Sequence, residues 1–251
     1  EGPYEERSAL AVDLVKRWTV EQVDAEKKDG HVISTFALQV DDVHLGFLRA
    51  AIWPKGPDEV KTAILFTLHS DPALPLIHAG YPLINHARKM LTAKDIGVER
   101  LMGIASLPGL CQWVVENKAW ERVDETTSPA NGFHWVEQRS AVEAVATGRP
   151  QPGQKGLTNE TYAAAQSAFE GIALEYAALE DVDAESTAME ACGGRLVGIH
   201  WMHDKSEEAI RASVGCTASY EFPTEMITHI DLEDQISHHI SHPAEGSPGR
   251  W

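Results

Sequence analysis

Apolar and polar positions alternate along this chain in two distinct rhythms. Over residues 8–28, Leu10, Val12, Leu14, Val15 and Trp18 recur among polar neighbours at spacings that predict an amphipathic helix, which Asp29-Gly30 ends. Residues 32–40 and 44–53 read as two strands around Asp41-Asp42, a hairpin signal, and Pro54-Lys55-Gly56-Pro57 predicts a loop. Residues 62–68 form a nearly continuous apolar run, the pattern of a strand buried on both faces. A Pro-containing loop over 70–76 then leads to a predicted helix over 80–92, a short strand over 100–105, and a helix opened by Pro108-Gly109 that runs through Trp113 and Val114. Residues 124–155 are rich in Pro, Gly, Ser and Thr and predict an irregular excursion. The Ala- and Glu-rich stretch 159–179 predicts a long helix capped by Thr158 or Asn159. Gly193-Gly194 reads as a hairpin turn, and 195–202 and 214–222 as a final pair of strands. This order predicts an α/β (α+β) fold around a mixed sheet.

Composition narrows the function classes. With 251 residues, 43% of them hydrophobic, the chain can bury a sizeable core. No apolar run approaches the roughly 20 residues that span a bilayer, and the first seven residues show no signal-peptide pattern. The formal net charge of −17 repels phosphate backbones and anionic lipid, so the expected partner is a small molecule, with no nucleic acid and no membrane. A homo-oligomer stays open. Cys111, Cys192 and Cys216 are an odd number without paired spacing and fit a reducing, cytoplasmic compartment.

Two ordered blocks carry a family resemblance. The first is Thr62-Ala63-Ile64-Leu65-Phe66, then Ala79-Gly80-Tyr81-Pro82-Leu83-Ile84, then Ala105-Ser106-Leu107-Pro108-Gly109-Leu110-Cys111-Gln112-Trp113. The second runs from Gly193-Gly194-Arg195 through His200-Trp201-Met202-His203-Asp204-Lys205-Ser206 and continues at Ile210, Ser213, Gly215 and Tyr220. In both blocks the chain resembles the malonyl-CoA decarboxylase family, over about residues 60–120 and 165–222. That family carries a Ser-Pro-Ile-Pro-Gly-Phe element followed by Trp, and later an Asn-Gly-Ala segment leading to Asn-Trp-Met/Leu-Ala-Asp. The resemblance implies a GNAT-like mixed β-sheet flanked by helices. With the periodicity it gives three parts: an N-terminal helical segment over 1–30, a GNAT-like domain over 31–225, and a polar His-rich tail over 226–251.

It also implies a reaction, whose usual groups are replaced here. Removing CO2 from a malonyl thioester leaves an enolate, so a site must stabilise the enolate oxygen and protonate carbon. The family's Ser, His, Glu and Tyr fall on Ala105, Met189, His78 and Phe222. Ser106 stands one residue beyond the Ser position, but a one-residue step on a strand reverses the side chain's direction. The expected phosphate-cradling loop reads Asp71-Pro72-Ala73-Leu74-Pro75-Leu76, whose two prolines donate no N–H, leaving Gly80 at the helix start as the candidate cofactor contact.

Imidazoles arrive as these groups depart. Mapped onto the family fold, His69, His78 and His200 would line one cleft, where they would bind a metal ion or act as acid–base groups near neutral pH. The alternative is three separate histidines with ordinary hydrogen-bond partners. His238, His239 and His242 read as part of a solvated tail, Gly132-Phe133-His134-Trp135 as a packed loop or an aromatic lid, and Cys192 as a thiol close to the altered His position. The leading reading is a divergent decarboxylase-like lyase acting on a small carboxylic acid or its coenzyme A thioester. His78, His200 and His69 would be its acid–base groups, and Ser106 with the backbone at Leu107 its oxyanion donors. The alternatives are a metal- or His-dependent enzyme of another class on the same scaffold, and a non-catalytic binding module.

Overall fold

In the computed structural model of the protein, the described residues are 19–28, 30–40, 43–53, 60–70, 76–125, 133–149, 156–179 and 183–223, without the side chains of 40 and 76–79. The fold is α/β, with seven strands and six α-helices among those residues. The chain divides into two compact units: Glu1–Leu101 with Pro223–Trp251, and Met102–Phe222.

The first unit is built on an antiparallel meander of β1 (Thr19–Lys28), β2 (His31–Val40), β3 (Val43–Trp53) and β4 (Thr62–Ser70). The predicted hairpin is present, with Val40 opposite Val43. The expected N-terminal helix is not formed over 19–28, where the chain is strand β1; the rest of that prediction lies outside the described residues. The reason is visible in the pairing. Nine residues of β1 find partners on β2, and that ladder, bulged only at Val23, outweighs the helical preference of Glu21, Ala25, Glu26 and Lys27.

The apolar run in β4 also differs from expectation. Ala63, Leu65 and Leu68 are buried, whereas Ile64 and Phe66 are half-buried and Thr67 is exposed. Leu48 of β3 faces two residues of β4 between the Arg49–Phe66 and Phe47–His69 pairs, so β4 bulges at Thr67, which takes φ 53°. The bulge shifts the inward phase from odd to even positions, and a one-faced strand therefore reads as a continuous apolar run. Helix α1 (Leu76–Thr92) covers the face that carries Phe36, Leu48, Ala50 and Leu65, with His86 edge-on to Phe36 at 6.2 Å between ring centroids. The other face carries ring contacts: His31 stacks on Trp53 at 5.1 Å, Phe47 meets His69 in a tilted contact at 5.0 Å, and Arg49 lies over Phe66 while pairing with Glu26 at 3.0 Å.

Strand β5 (Arg100–Ser106) begins in the first unit and ends in the second. The second unit places β5, β7 (Thr217–Phe222) and β6 (Arg195–His200) in that order, with β6 and β7 antiparallel. Its helices are α2 (Leu110–Glu116), α3 (Trp135–Thr147), α4 (Asn159–Ala177), α5 (Ala184–Ala191) and α6 (Glu207–Ser213). The long helix forms as predicted, with Thr158 accepting from the Thr161 N–H as its cap. The irregular excursion is corrected: it contains α3, opened by a capping box of His134 and Glu137 and closed by Gly148 at φ 65°. His134 is thus a cap, and His is not a residue that marks helix starts from sequence. Gly193 takes φ 81° in the turn from α5 into β6, a helix-to-strand turn in place of the expected hairpin. Among the described residues no helix is long and apolar enough to cross a membrane.

One turn fixes the end of this unit. Gly215 follows α6 at φ 69°, donates to the Ala209 carbonyl at 2.9 Å, and leaves only 2.2 Å between a would-be Cβ and the Asp204 carbonyl oxygen. Gly215→Ala therefore meets a backbone atom that cannot move aside and a strained φ at once. Urea unfolding is expected to show a loss of at least about 2 kcal/mol; an unchanged midpoint would contradict the tight turn.

Candidate functional site

Alternation along β5 decides which way Ser106 looks. Leu101, Gly103 and Ala105 are buried on alternate positions, and Ser106 is exposed at the strand's end. There it meets α5. The Ser106 N–H and its hydroxyl both donate to the same oxygen of Glu185, Oε2, at 2.7 and 2.8 Å. Glu185 and Met189 are one turn apart on α5, so both face β5. Met189 lies against Gly103, where a Cβ would stand 2.7 Å from its sulfur and 3.0 Å from the Phe222 ring. A Cβ at this position would force Met189 to shift and crowd the Phe222 ring.

Asp183 sets the start of α5. Its Oδ1 accepts from the Ser186 N–H at 2.8 Å, and its carbonyl accepts from the Thr187 hydroxyl at 2.7 Å. The cap is buried, at 8% exposure. Asp183 Oδ2, Ser186 Oγ and Tyr220 Oη are enclosed in the same region, and none of the three completes a hydrogen bond of good geometry.

Burial governs the ionisation of this group. It pushes the Asp183 carboxyl up, against the donors of Ser186 and the Glu185 backbone. It pushes Glu185 up too; the two Ser106 donors oppose that shift and the neighbouring Asp183 charge adds to it. Glu190 rises from burial and then from Asp183. The Tyr176 phenol, pushed up to about 12 mainly by burial, and the Tyr220 phenol, pushed up likewise, remain neutral donors at ordinary pH.

The remaining sequence candidates are placed as follows. His69 is exposed on β4 of the first unit, beside Phe47. His78 and Gly80 lie on α1, with the His78 side chain outside the described residues and Gly80 buried. His200 ends β6 in the second unit and is exposed. A strand continued through Met202 would put His203 on the opposite face from His200, but the strand stops at His200 and Met202 turns at φ 48°. That turn brings the two rings to 5.9 Å, with His203 Nδ1 3.2 Å from the Thr217 hydroxyl. Among the described residues no group of three or more His, Cys, Asp or Glu is placed to hold a metal ion. The loop over 71–75 and His238, His239 and His242 lie outside the described residues. Cys192 is buried at the end of α5.

Comparison with solved structures adds the scaffold. The malonyl-CoA decarboxylase of Cupriavidus metallidurans superposes with a TM-score of 0.61 at 12% identity, covering 94% of this chain and 67% of its own. That of Rhodopseudomonas palustris gives 0.61 at 13% identity, covering 94% and 62%. The fold is shared with malonyl-CoA decarboxylases. The chain thus spans about two thirds of the length of these neighbours. No family model and no curated protein matches the sequence.

Sequence reasoning selected Ser106 but missed Glu185 and Asp183. The signal was present in Asp183-Ala184-Glu185-Ser186, an acidic cap ahead of an acidic first turn, the usual opening of a helix. Asp183→Asn keeps the cap and removes the buried charge. A raised carboxyl pKa takes up protons on folding, so wild-type stability falls as pH rises from the unfolded Asp value through the folded one. Urea unfolding is therefore expected to show Asp183→Asn gaining on wild type between pH 4 and pH 7, and to place Asp183→Ala about 1 kcal/mol below Asp183→Asn for loss of the cap. A gain for Asp183→Asn that grows toward low pH would contradict the assignment.

Proposed function

We propose that the chain is a divergent decarboxylase-like lyase acting on a small carboxylic acid or its coenzyme A thioester, with Ser106 and Glu185 carrying the chemistry. The observation that supports this reading is the double donation of Ser106 to one Glu185 oxygen at the exposed end of β5. An ionised Glu185 repels a substrate carboxylate and holds both Ser106 donors. Protonation, favoured by burial and by Asp183, weakens Glu185 as an acceptor and frees the Ser106 N–H and hydroxyl for a thioester oxygen. The bond to the carboxylate carbon then breaks, its electron pair passes to the carbonyl as an enolate, and CO2 leaves. Glu185 gives its proton to the α-carbon and regains one from water. His200, His78 and His69 are further acid–base candidates on this scaffold.

A second reading has its own support. The positions aligned with the family's Ser, His and Tyr are Ala105, Met189 and Phe222, each at most 2% exposed and apolar, which suits a non-catalytic binding module. The assay that separates the two is incubation with malonyl-CoA and detection of acetyl-CoA. The lyase reading expects turnover that falls as pH rises through the Glu185 titration, with Ser106→Ala and Glu185→Gln each lowering kcat by about 100-fold or more. Absence of turnover at high protein concentration would sink it in favour of the binding module.

A further inference from the structure

The first unit holds a cavity of about 440 Å³ on the α1 side of its sheet, beyond the end of that helix. Cross-strand pairing builds its floor: Lys27 lies opposite Val32, and Val32 opposite Ile52. Ile96, from the turn after α1, supplies a third apolar wall. The polar groups are few and mostly donors. Lys61 is half-buried and donates to the Ile96 carbonyl, which fixes its ammonium in place with N–H groups to spare. Gln22 donates its amide to the Ser34 hydroxyl oxygen at 3.4 Å, leaving the Ser34 proton to be donated onward. In a chain of net charge −17, two ammonium groups over an apolar floor are a local reversal of sign.

We propose that this cavity binds a short-chain aliphatic carboxylate, a ligand separate from the chemistry at Ser106 and Glu185. The Lys27 and Lys61 ammoniums and the Ser34 hydroxyl face the carboxylate, and Val32, Ile52 and Ile96 receive the alkyl chain. Asp95 also borders the cavity, so two positive charges meet one negative, and the balance suits a monoanion over a phosphate dianion. Cavity size and a mainly apolar lining with a few convergent polar groups are those of a small-molecule site.

The experiment is a titration of the 15N-labelled full chain followed by amide chemical shifts, with hexanoate, hexan-1-ol and inorganic phosphate as probes. Hexanoate is expected to saturate shifts at Ser34, Ile52 and Ile96, to weaken with added salt, and to bind roughly tenfold tighter than either other probe. Lys61→Gln and Lys27→Gln are each expected to weaken it severalfold. Lys27 is exposed, so its variant tests the charge without loosening the Ile96 contact. Hexanol binding as well as hexanoate, phosphate binding better, an unaffected Lys27→Gln, or no saturable shift would each overturn the proposal.

Discussion

Two donors of one residue meet on a single oxygen: the Ser106 N–H and hydroxyl both point at Glu185 Oε2. This contact ties the end of β5 to the first turn of α5, and the surrounding features follow from it. Glu185 can face Ser106 only because Asp183 caps the helix two residues earlier and sets its phase. Met189, one turn on, is then bound to face the same strand, and Gly103 is the residue small enough to receive it. A substitution at any of these positions is felt at the others.

The same geometry sets the electrostatics. Asp183, Glu185 and Glu190 are three carboxyls within two turns of one short helix, and burial raises all three. Low-dielectric surroundings and mutual repulsion disfavour the fully ionised state of this cluster. A proton held beside a hydroxyl and an N–H is the combination that enolate chemistry uses. In contrast, Ala105, Met189 and Phe222, buried on the inward side, carry no group that can move a proton.

Much of the fold was legible because local signals and tertiary packing agree. The β2–β3 hairpin, α4 with its Thr158 cap and the apolar β5 each pair a clear rhythm with a clear terminator. Departures arise where the partner decides. Residues 19–28 are charged and helix-compatible, yet β2 pairs with nine of them. Helix α3 starts on a histidine whose capping role depends on Glu137 reaching back to it. At the site, the outward direction of Ser106 was legible from strand alternation. Its partner was not, since Glu185 lies 79 residues away and no periodicity links two such positions. The histidines taught the reverse lesson: shared proximity to strand ends in sequence says little about where rings point, as the Met202 turn shows by swinging His203 back beside His200.

The central claim is that Glu185 is a half-buried carboxyl, pushed up in pKa by desolvation and held against Ser106. Its most direct measurement is a 13C NMR titration of the Glu185 side-chain carboxyl in wild type and in Asp183→Asn. The account predicts a midpoint above the ordinary glutamate value in wild type, because burial outweighs the two Ser106 donors, and a lower midpoint once the Asp183 charge is removed. A wild-type midpoint at or below the ordinary value, or one indifferent to Asp183, would contradict it.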